Sequence, residues 1–374
     1  MKITPFAVEQ WMNEFETQCR HNLGETCVAS LTVEELLTLA GERDTFLDQV
    51  LALKLTYGEI KGSNRLRAAV ASLFESRRAD EILITHGAIG ANSLVYQALV
   101  GAGDQVVSVV PTYQQHYSIP ESLGAEVRRL PLRKENGYLP DLEELRKLVT
   151  PATKLIAFTN PNNPTGSLMD AACLGQIVAI ADRVGAYVLA DEVYRGTAQE
   201  DDALTPSVTD LYHRGISIGS MSKAFSLAGI RLGWICGPVD VLAAAEVHRD
   251  YNTISVGMID DLLASVALEH HDKILTRSRR IVRENLEALD RWVQAEPSVS
   301  YVKPRGGTVT LLDYDFDMPS RELCVRLVRE AGVLYTPGSA FEREGTVRIG
   351  YANTLDVLKA GLHETSRFLK ALRA

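Results

Sequence analysis

Ser217-Ile-Gly-Ser220-Met-Ser222-Lys223-Ala-Phe-Ser-Leu-Ala-Gly229-Ile-Arg231-Leu-Gly233-Trp234 follows a probable strand and encloses one lysine among hydroxyls and glycines. A lysine kept for solubility belongs on a polar helix face. Lys223 instead has small and apolar neighbours on both sides, a setting expected to depress its pKa and leave part of the amine neutral and nucleophilic. Ser220, Ser222 and Arg231 place two hydroxyls and a fixed guanidinium near it, a donor set suited to a phosphate dianion.

A nucleophilic amine beside a phosphate site suggests pyridoxal phosphate. Continued through Gly229, Arg231, Gly233 and Trp234, the stretch resembles the Ser-x-Ser-Lys and Gly-x-Arg-x-Gly-Trp signature of the class I/II pyridoxal-phosphate aminotransferases, the aspartate aminotransferase superfamily. The resemblance implies the α/β type I fold: a large domain on a mostly parallel central sheet and a small α+β C-terminal domain. The expected division is 1–45 for an N-terminal arm and part of the small domain, 46–280 for the large domain and 281–374 for the small one. It also implies that Lys223 holds the cofactor as an internal aldimine.

Upstream, residues 187–194, Tyr-Val-Leu-Ala-Asp-Glu-Val-Tyr, read as a buried strand ending in acid. A carboxylate at the mouth of an apolar strand is costly unless it meets a cation, so Asp191 is expected to meet the protonated pyridine nitrogen and keep the ring an electron sink. Tyr194 is placed to add a hydrogen bond to the phenolate oxygen. Asn160-Pro-Asn-Asn163-Pro-Thr-Gly166 follows another strand, and its prolines and glycine would hold the Asn163 amide rigidly toward that oxygen. Pro111-Thr-Tyr113 resembles the family's Pro-x-aromatic turn, which implies that Tyr113 lies flat on the ring. Ile82-Leu-Ile-Thr runs into His86-Gly87-Ala88-Ile89 and a helical pattern, and such a turn points backbone N–H groups at an anion. Gly87, Ala88 and Ile89 are the expected phosphate cradle, and His86 is read as packing.

Arg348, in Thr346-Val-Arg-Ile-Gly-Tyr-Ala, is expected to clamp the substrate α-carboxylate with its planar fork. Asn163 would line the same subsite. Leu55-Thr-Tyr57-Gly resembles the family segment whose tyrosine reaches the phosphate of the neighbouring subunit, implying a homodimer with shared sites. Residues 5–20 carry Phe6, Val8, Trp11, Met12 and Phe15 against Glu9, Glu14 and Glu16, a helical apolar stripe, and in this superfamily the N-terminal arm commonly lies over the active site. Glu9 and His21 are accordingly named as substrate contacts, with Glu14 and Glu16 as further candidates.

Composition bounds the rest. The 374 residues are 46% hydrophobic and 23% charged, with a net charge of −9, which supports a sizeable core and argues against a broad nucleic-acid surface. Five scattered cysteines lack metal-ligand spacing and fit reduced thiols in a cytoplasm. No stretch approaches the roughly 18 apolar residues of a membrane span. The activity expected is transfer of an α-amino group from an amino acid to a 2-oxo acid. The acidic arm also resembles the subgroup containing capreomycidine synthases and arginine oxidases and hydroxylases, which leaves an oxygen-dependent or cyclising reaction on arginine or another cationic amino acid as the alternative. A regulatory protein on this fold would be expected to have lost Lys223 or Asp191, and both are intact.

Overall fold

The computed structural model describes residues 2–373. Mostly apolar runs of five to seven residues form the interior of the large sheet because both of its faces are covered by helices, so no alternation with polar residues is required there, whereas the edge strand Glu126–Pro131 carries charged residues and is only partly buried. The seven strands of the sheet are ordered Ile82–His86, Leu232–Cys236, Gly215–Ser220, Tyr187–Asp191, Thr153–Thr159, Gln105–Val110 and Glu126–Pro131. All neighbours are parallel except Leu232–Cys236, which runs antiparallel to the strands on either side of it. The reversed strand has a consequence for the site. Because it opposes both neighbours, Ile82–His86 and Gly215–Ser220 point the same way, and the carboxyl ends of six strands share one edge with the entry to the seventh. Ligands of open α/β sheets gather at that edge.

Gly219 and Gly233 show why small residues flank the lysine. A Cβ on Gly233 would stand 2.5 Å from the Gly87 carbonyl carbon and 2.6 Å from the Ala88 nitrogen, while one on Gly219 would strike the Trp234 indole at 2.3 Å. The reversed strand therefore lies against the start of the helix Gly87–Leu99, with no room for a side chain between them.

The C-terminal part builds a second sheet of four antiparallel strands, ordered Thr336–Pro337, Thr346–Gly350, Val309–Tyr314 and Val299–Tyr301. The helix His271–Ala295 joins the two regions. Ile274 and Leu275 pack with the cluster beside the large sheet, whereas Val282, Leu286, Leu289 and Val293, on the same stripe at helical spacing, belong to the C-terminal cluster. Trp11, Phe15, Leu23 and Val28 of the N-terminal segment join that second cluster. His21–Asn22 pairs in parallel with Val333–Leu334, and the Trp11 indole donates to the Tyr335 carbonyl at 2.8 Å.

Local expectations differ from the structure at two places. The helical arm is confined to Ala7–Phe15 with a short 3-10 turn to Gln18. The strand expected over 187–194 stops at Asp191, where the carboxylate accepts from the Val193 N–H at 3.3 Å and turns the chain. That side-chain hydrogen bond competes with strand continuation and brings Tyr194 back into the site. Among the described residues no helix is long and apolar enough to cross a membrane.

Candidate active site

A cavity of about 310 Å³ opens at the shared strand edge, between the two sheets. Its walls include Lys223, Asp191, Tyr194, Tyr113, Asn163, Ser220, Ser222, Ala88, Ile89, Arg231, Arg348 and Glu9, so residues spread over most of the chain converge on one space.

Asp191 ends its strand with its side chain buried. Its Oδ2 accepts from Asn92 Nδ2 at 2.9 Å and lies 3.7 Å from His116 Nε2, while His116 Nδ1 lies 2.9 Å from the hydroxyl of the fully buried Tyr96. Asn92 thus holds the carboxylate by a hydrogen bond, and His116, bonded to Tyr96, packs behind it. No local sequence signal marked them for this work: Asn92 sits one turn into the helix Gly87–Leu99, and His116 follows Tyr113 by three residues.

Lys223 is partly buried and directs Nζ to Thr26 Oγ1 at 2.6 Å and to Cys27 Sγ at 3.7 Å. The expectation of a depressed lysine pKa is not met. Burial does pull it down, but the Cys27 thiol and Tyr194 phenol beside the amine favour its charged form, and the balance lies above the ordinary lysine value. Burial raises the pKa of both Cys27 and Tyr194.

Ser220, Ser222, Arg231 and the N-terminal turn of Gly87–Leu99 lie at one end of the cavity. Gly87 has φ +65°, and a Cβ there would approach Arg231 Nη2 to 3.1 Å, so glycine leaves the guanidinium its place. Arg231 itself sits at φ +53°, a left-handed conformation costing an L residue about 1–2 kcal/mol. Its Nη1 donates to the Ala228 carbonyl at 2.7 Å. A strained, exposed arginine beside helix-start amides and two serines is a donor set suited to a dianion.

At the other side Arg348 is 2% exposed. Its Nη1 donates to Asn163 Oδ1 at 3.2 Å, and its Nη2 donates to the Gly24 carbonyl at 2.9 Å and to Thr336 Oγ1 at 3.0 Å. Nε is buried without a partner, and burial holds the guanidinium pKa below its ordinary value. The Tyr113 hydroxyl donates to Glu9 Oε1 at 2.6 Å, and Gln114 ties the arm down by donating to the Pro5 carbonyl and accepting from the Ala7 N–H. Burial and the Glu9 carboxylate both push the Tyr113 phenol pKa up.

Not every expected contact is found in the cavity. His21 sits in its short strand against Val333, away from the cavity walls, and Glu14 is exposed and paired with Arg321 at 2.8 Å. Tyr57 is 73% exposed and does not line the cavity of its own chain. Glu16 does line it, as do Gly24, Glu25, Thr26 and Cys27, a segment the sequence did not single out.

The donor set fits pyridoxal phosphate: an anion site of amides, hydroxyls and guanidinium, an amine in the middle, and a buried carboxylate beyond it. Comparison with known proteins agrees. Residues 52–361 match the model of the family described as aminotransferase class I and II. Capreomycidine synthase of Streptomyces vinaceus is 32% identical over 367 residues, covering 97% of this chain and 93% of that protein. The aspartate/prephenate aminotransferase of Thermus thermophilus is 27% identical over 331 residues, with 84% of each chain covered. The crystal structure of a PLP-dependent aminotransferase from Streptococcus suis superposes with a TM-score of 0.96 at 44% identity, covering 99% of both chains. With the fold, the cavity and these relatives in agreement, this chain belongs to the class I and II aminotransferase family, whose cofactor is pyridoxal phosphate.

Proposed function

We propose that the protein is an aminotransferase that moves the α-amino group of an amino acid to a 2-oxo acid. The observation that carries this reading is the placing of Lys223, Asp191 and Arg348 around one cavity, an amine, a carboxylate and a carboxylate-binding fork. Pyridoxal phosphate bound here supplies an electron sink for the pair released when a bond at the substrate Cα breaks. Gly87, Ala88, Ile89, Ser220, Ser222 and Arg231 would hold its phosphate, Tyr113 would cover its ring, and Asn163 and Tyr194 would hydrogen-bond its phenolic oxygen. Asp191, kept in place by Asn92, would hold a proton on the ring nitrogen. Arg348 orients the substrate by its α-carboxylate, and Lys223, once its amine has given up the proton that Cys27 and Tyr194 favour in the cofactor-free chain, is the base that moves the Cα proton.

Glu9 and Glu16 on the cavity wall favour a second reading, in which the substrate side chain is cationic and the reaction is the cyclisation or oxygen-dependent oxidation or hydroxylation of arginine or a related amino acid. The likeness to capreomycidine synthase supports it. One experiment separates the two. The yellow holoenzyme is mixed without oxygen with a panel of amino acids including arginine, then given air, then a 2-oxo acid. Colour lost to an amino acid and restored only by the 2-oxo acid is the expected result for transamination. Consumption of oxygen with arginine, or a cyclised product without net amino transfer, would replace the first reading with the second.

The family resemblance also supports a homodimer in which Tyr57 reaches the partner's phosphate site. Leu51, Leu55, Tyr57 and Tyr251 are each more than 70% exposed, a poor arrangement for an isolated chain. Sedimentation velocity should give twice the chain mass, and a monomer that retains full activity would overturn the shared site. The free cysteines support a reducing cytoplasmic setting.

A further inference from the structure

The segment Asn22–Cys27 crosses the cavity as a strap and touches both catalytic ends of it. Its course is tightly determined. The Asn22 side-chain oxygen accepts from the Gly24 and Glu25 N–H groups, each at 3.0 Å. Gly350 N donates to the Leu23 carbonyl at 2.7 Å, and Thr308 Oγ1 donates to the Thr26 carbonyl at 2.6 Å. A Cβ on Gly350 would fall 1.6 Å from the Glu25 carbonyl oxygen, so the strap lies directly on the strand that bears Arg348. From this fixed backbone the Gly24 carbonyl accepts from Arg348 Nη2 at 2.9 Å, and Thr26 Oγ1 accepts from Lys223 Nζ at 2.6 Å.

The geometry points to Thr26 as a positioning residue: we propose that its hydroxyl is the docking point for the Lys223 amine whenever that amine is not bonded to the cofactor. A lysine that hands its place to the substrate must remain within reach of Cα, and its flexible stem has no such preference of its own. Thr26 Oγ1 is the short acceptor, whereas Cys27 Sγ, at 3.7 Å, is a weak one. Because the strap also holds Arg348, the groups that receive the substrate's amine end and its carboxylate end are referenced to a single piece of backbone. The inference rests on the proposed role of Lys223.

Its test uses Thr26→Val, Thr26→Ala and Thr26→Ser, with two readouts. In the cofactor-free chain, acylation of Lys223 at fixed pH is followed by peptide mass spectrometry and normalised to the exposed Lys359. The groups acting on the amine besides Thr26 are Cys27, Tyr194, Arg348 and Glu25; none is substituted in these variants, and only Tyr194 is itself altered, losing the hydrogen bond Thr26 gives its phenol. Loss of a hydrogen bond to a charged group is expected to raise the neutral fraction, and hence Lys223 labelling, about tenfold in Thr26→Val and Thr26→Ala. Thr26→Ser should restore the wild-type rate. In the holoenzyme the same loss should raise KM for the amino acid about tenfold and enlarge the isotope effect from α-deuterated substrate, again with rescue by serine.

Borohydride reduction of the wild-type holoenzyme keeps the two ideas apart. Cofactor fixed to a residue other than Lys223 would defeat the lysine assignment itself. Cofactor fixed to Lys223, with labelling and isotope effect unchanged in Thr26→Val and Thr26→Ala, would overturn the role of Thr26 alone. Thr26→Ala covers the case in which the branched valine does not fold.

Discussion

Replacing Lys223 by alanine is expected to abolish the yellow absorbance of lysine-bound cofactor and to lower turnover by at least about 10²–10⁴-fold, the contribution of a positioned proton-transfer group alone. The further loss of covalent attachment adds to this. The phosphate end does not depend on the amine: Ser220, Ser222, Arg231 and the amides after Gly87 remain, so Lys223→Ala should still bind pyridoxal phosphate, now as a free aldehyde with its own absorbance. Absorbance spectra and equilibrium dialysis on the purified variant check both statements. Retention of the lysine-type band would remove Lys223 from its role, and loss of all cofactor binding would show that the anion site has been misplaced.

Arg348→Ala should act on binding rather than on colour. The guanidinium is buried, donates to Asn163, the Gly24 carbonyl and Thr336, and lies over the Phe341 ring at 5.1 Å, so its position is set before any substrate arrives. Truncating one partner of a buried, hydrogen-bonded charge pair costs about 2 kcal/mol or more, or roughly 30-fold in affinity. KM for the amino acid and KM for the 2-oxo acid should rise together by at least about that factor, since both substrates carry the same carboxylate. Arg348→Lys should recover little, because an ammonium cannot reproduce the planar fork. A variant with unchanged KM for both substrates would move the carboxylate subsite elsewhere.

Much of this site is legible without coordinates, and the residues show why. Asp191 ends a short apolar strand and Lys223, Asn163, Tyr113 and Gly87 each sit just beyond one, and a chain that leaves a buried strand through a turn of Gly, Pro, Ser or Asn must present its next side chains at the sheet edge. Their chemistry is therefore written locally. The capping box at the start of the helix Val33–Ala40 is equally local: Thr32 and Glu35 are three residues apart, the Thr32 hydroxyl accepts from the Glu35 N–H at 3.1 Å and the Glu35 carboxylate accepts from the Thr32 N–H at 2.7 Å.

What fails to be legible is long-range. Lys223 meets Thr26 across 197 residues of sequence, and Asp191 meets Asn92 across 99. His21 shows the converse: it is adjacent in sequence to the strap, yet strand pairing with Val333 takes it away from the cavity. The lysine pKa is of the same kind. Small apolar neighbours in sequence argued for depression, but the groups that set the balance, Cys27 and Tyr194, come from other segments.

The sequence by itself determined the fold class and the cofactor through the resemblance of its Lys223 segment to the family signature, and it marked the strand-end residues through short-range periodicity, turn chemistry and the type of one or two side chains. Only the tertiary structure decided which polar groups stand behind those residues: Asn92 and His116 at Asp191, Thr26 and Cys27 at Lys223, the Gly24 carbonyl at Arg348 and Glu9 at Tyr113. Hydrogen bonds and charges act over a few ångströms of space whatever the separation along the chain, so these partners exist only once the sheets, the strap and the arm have packed together.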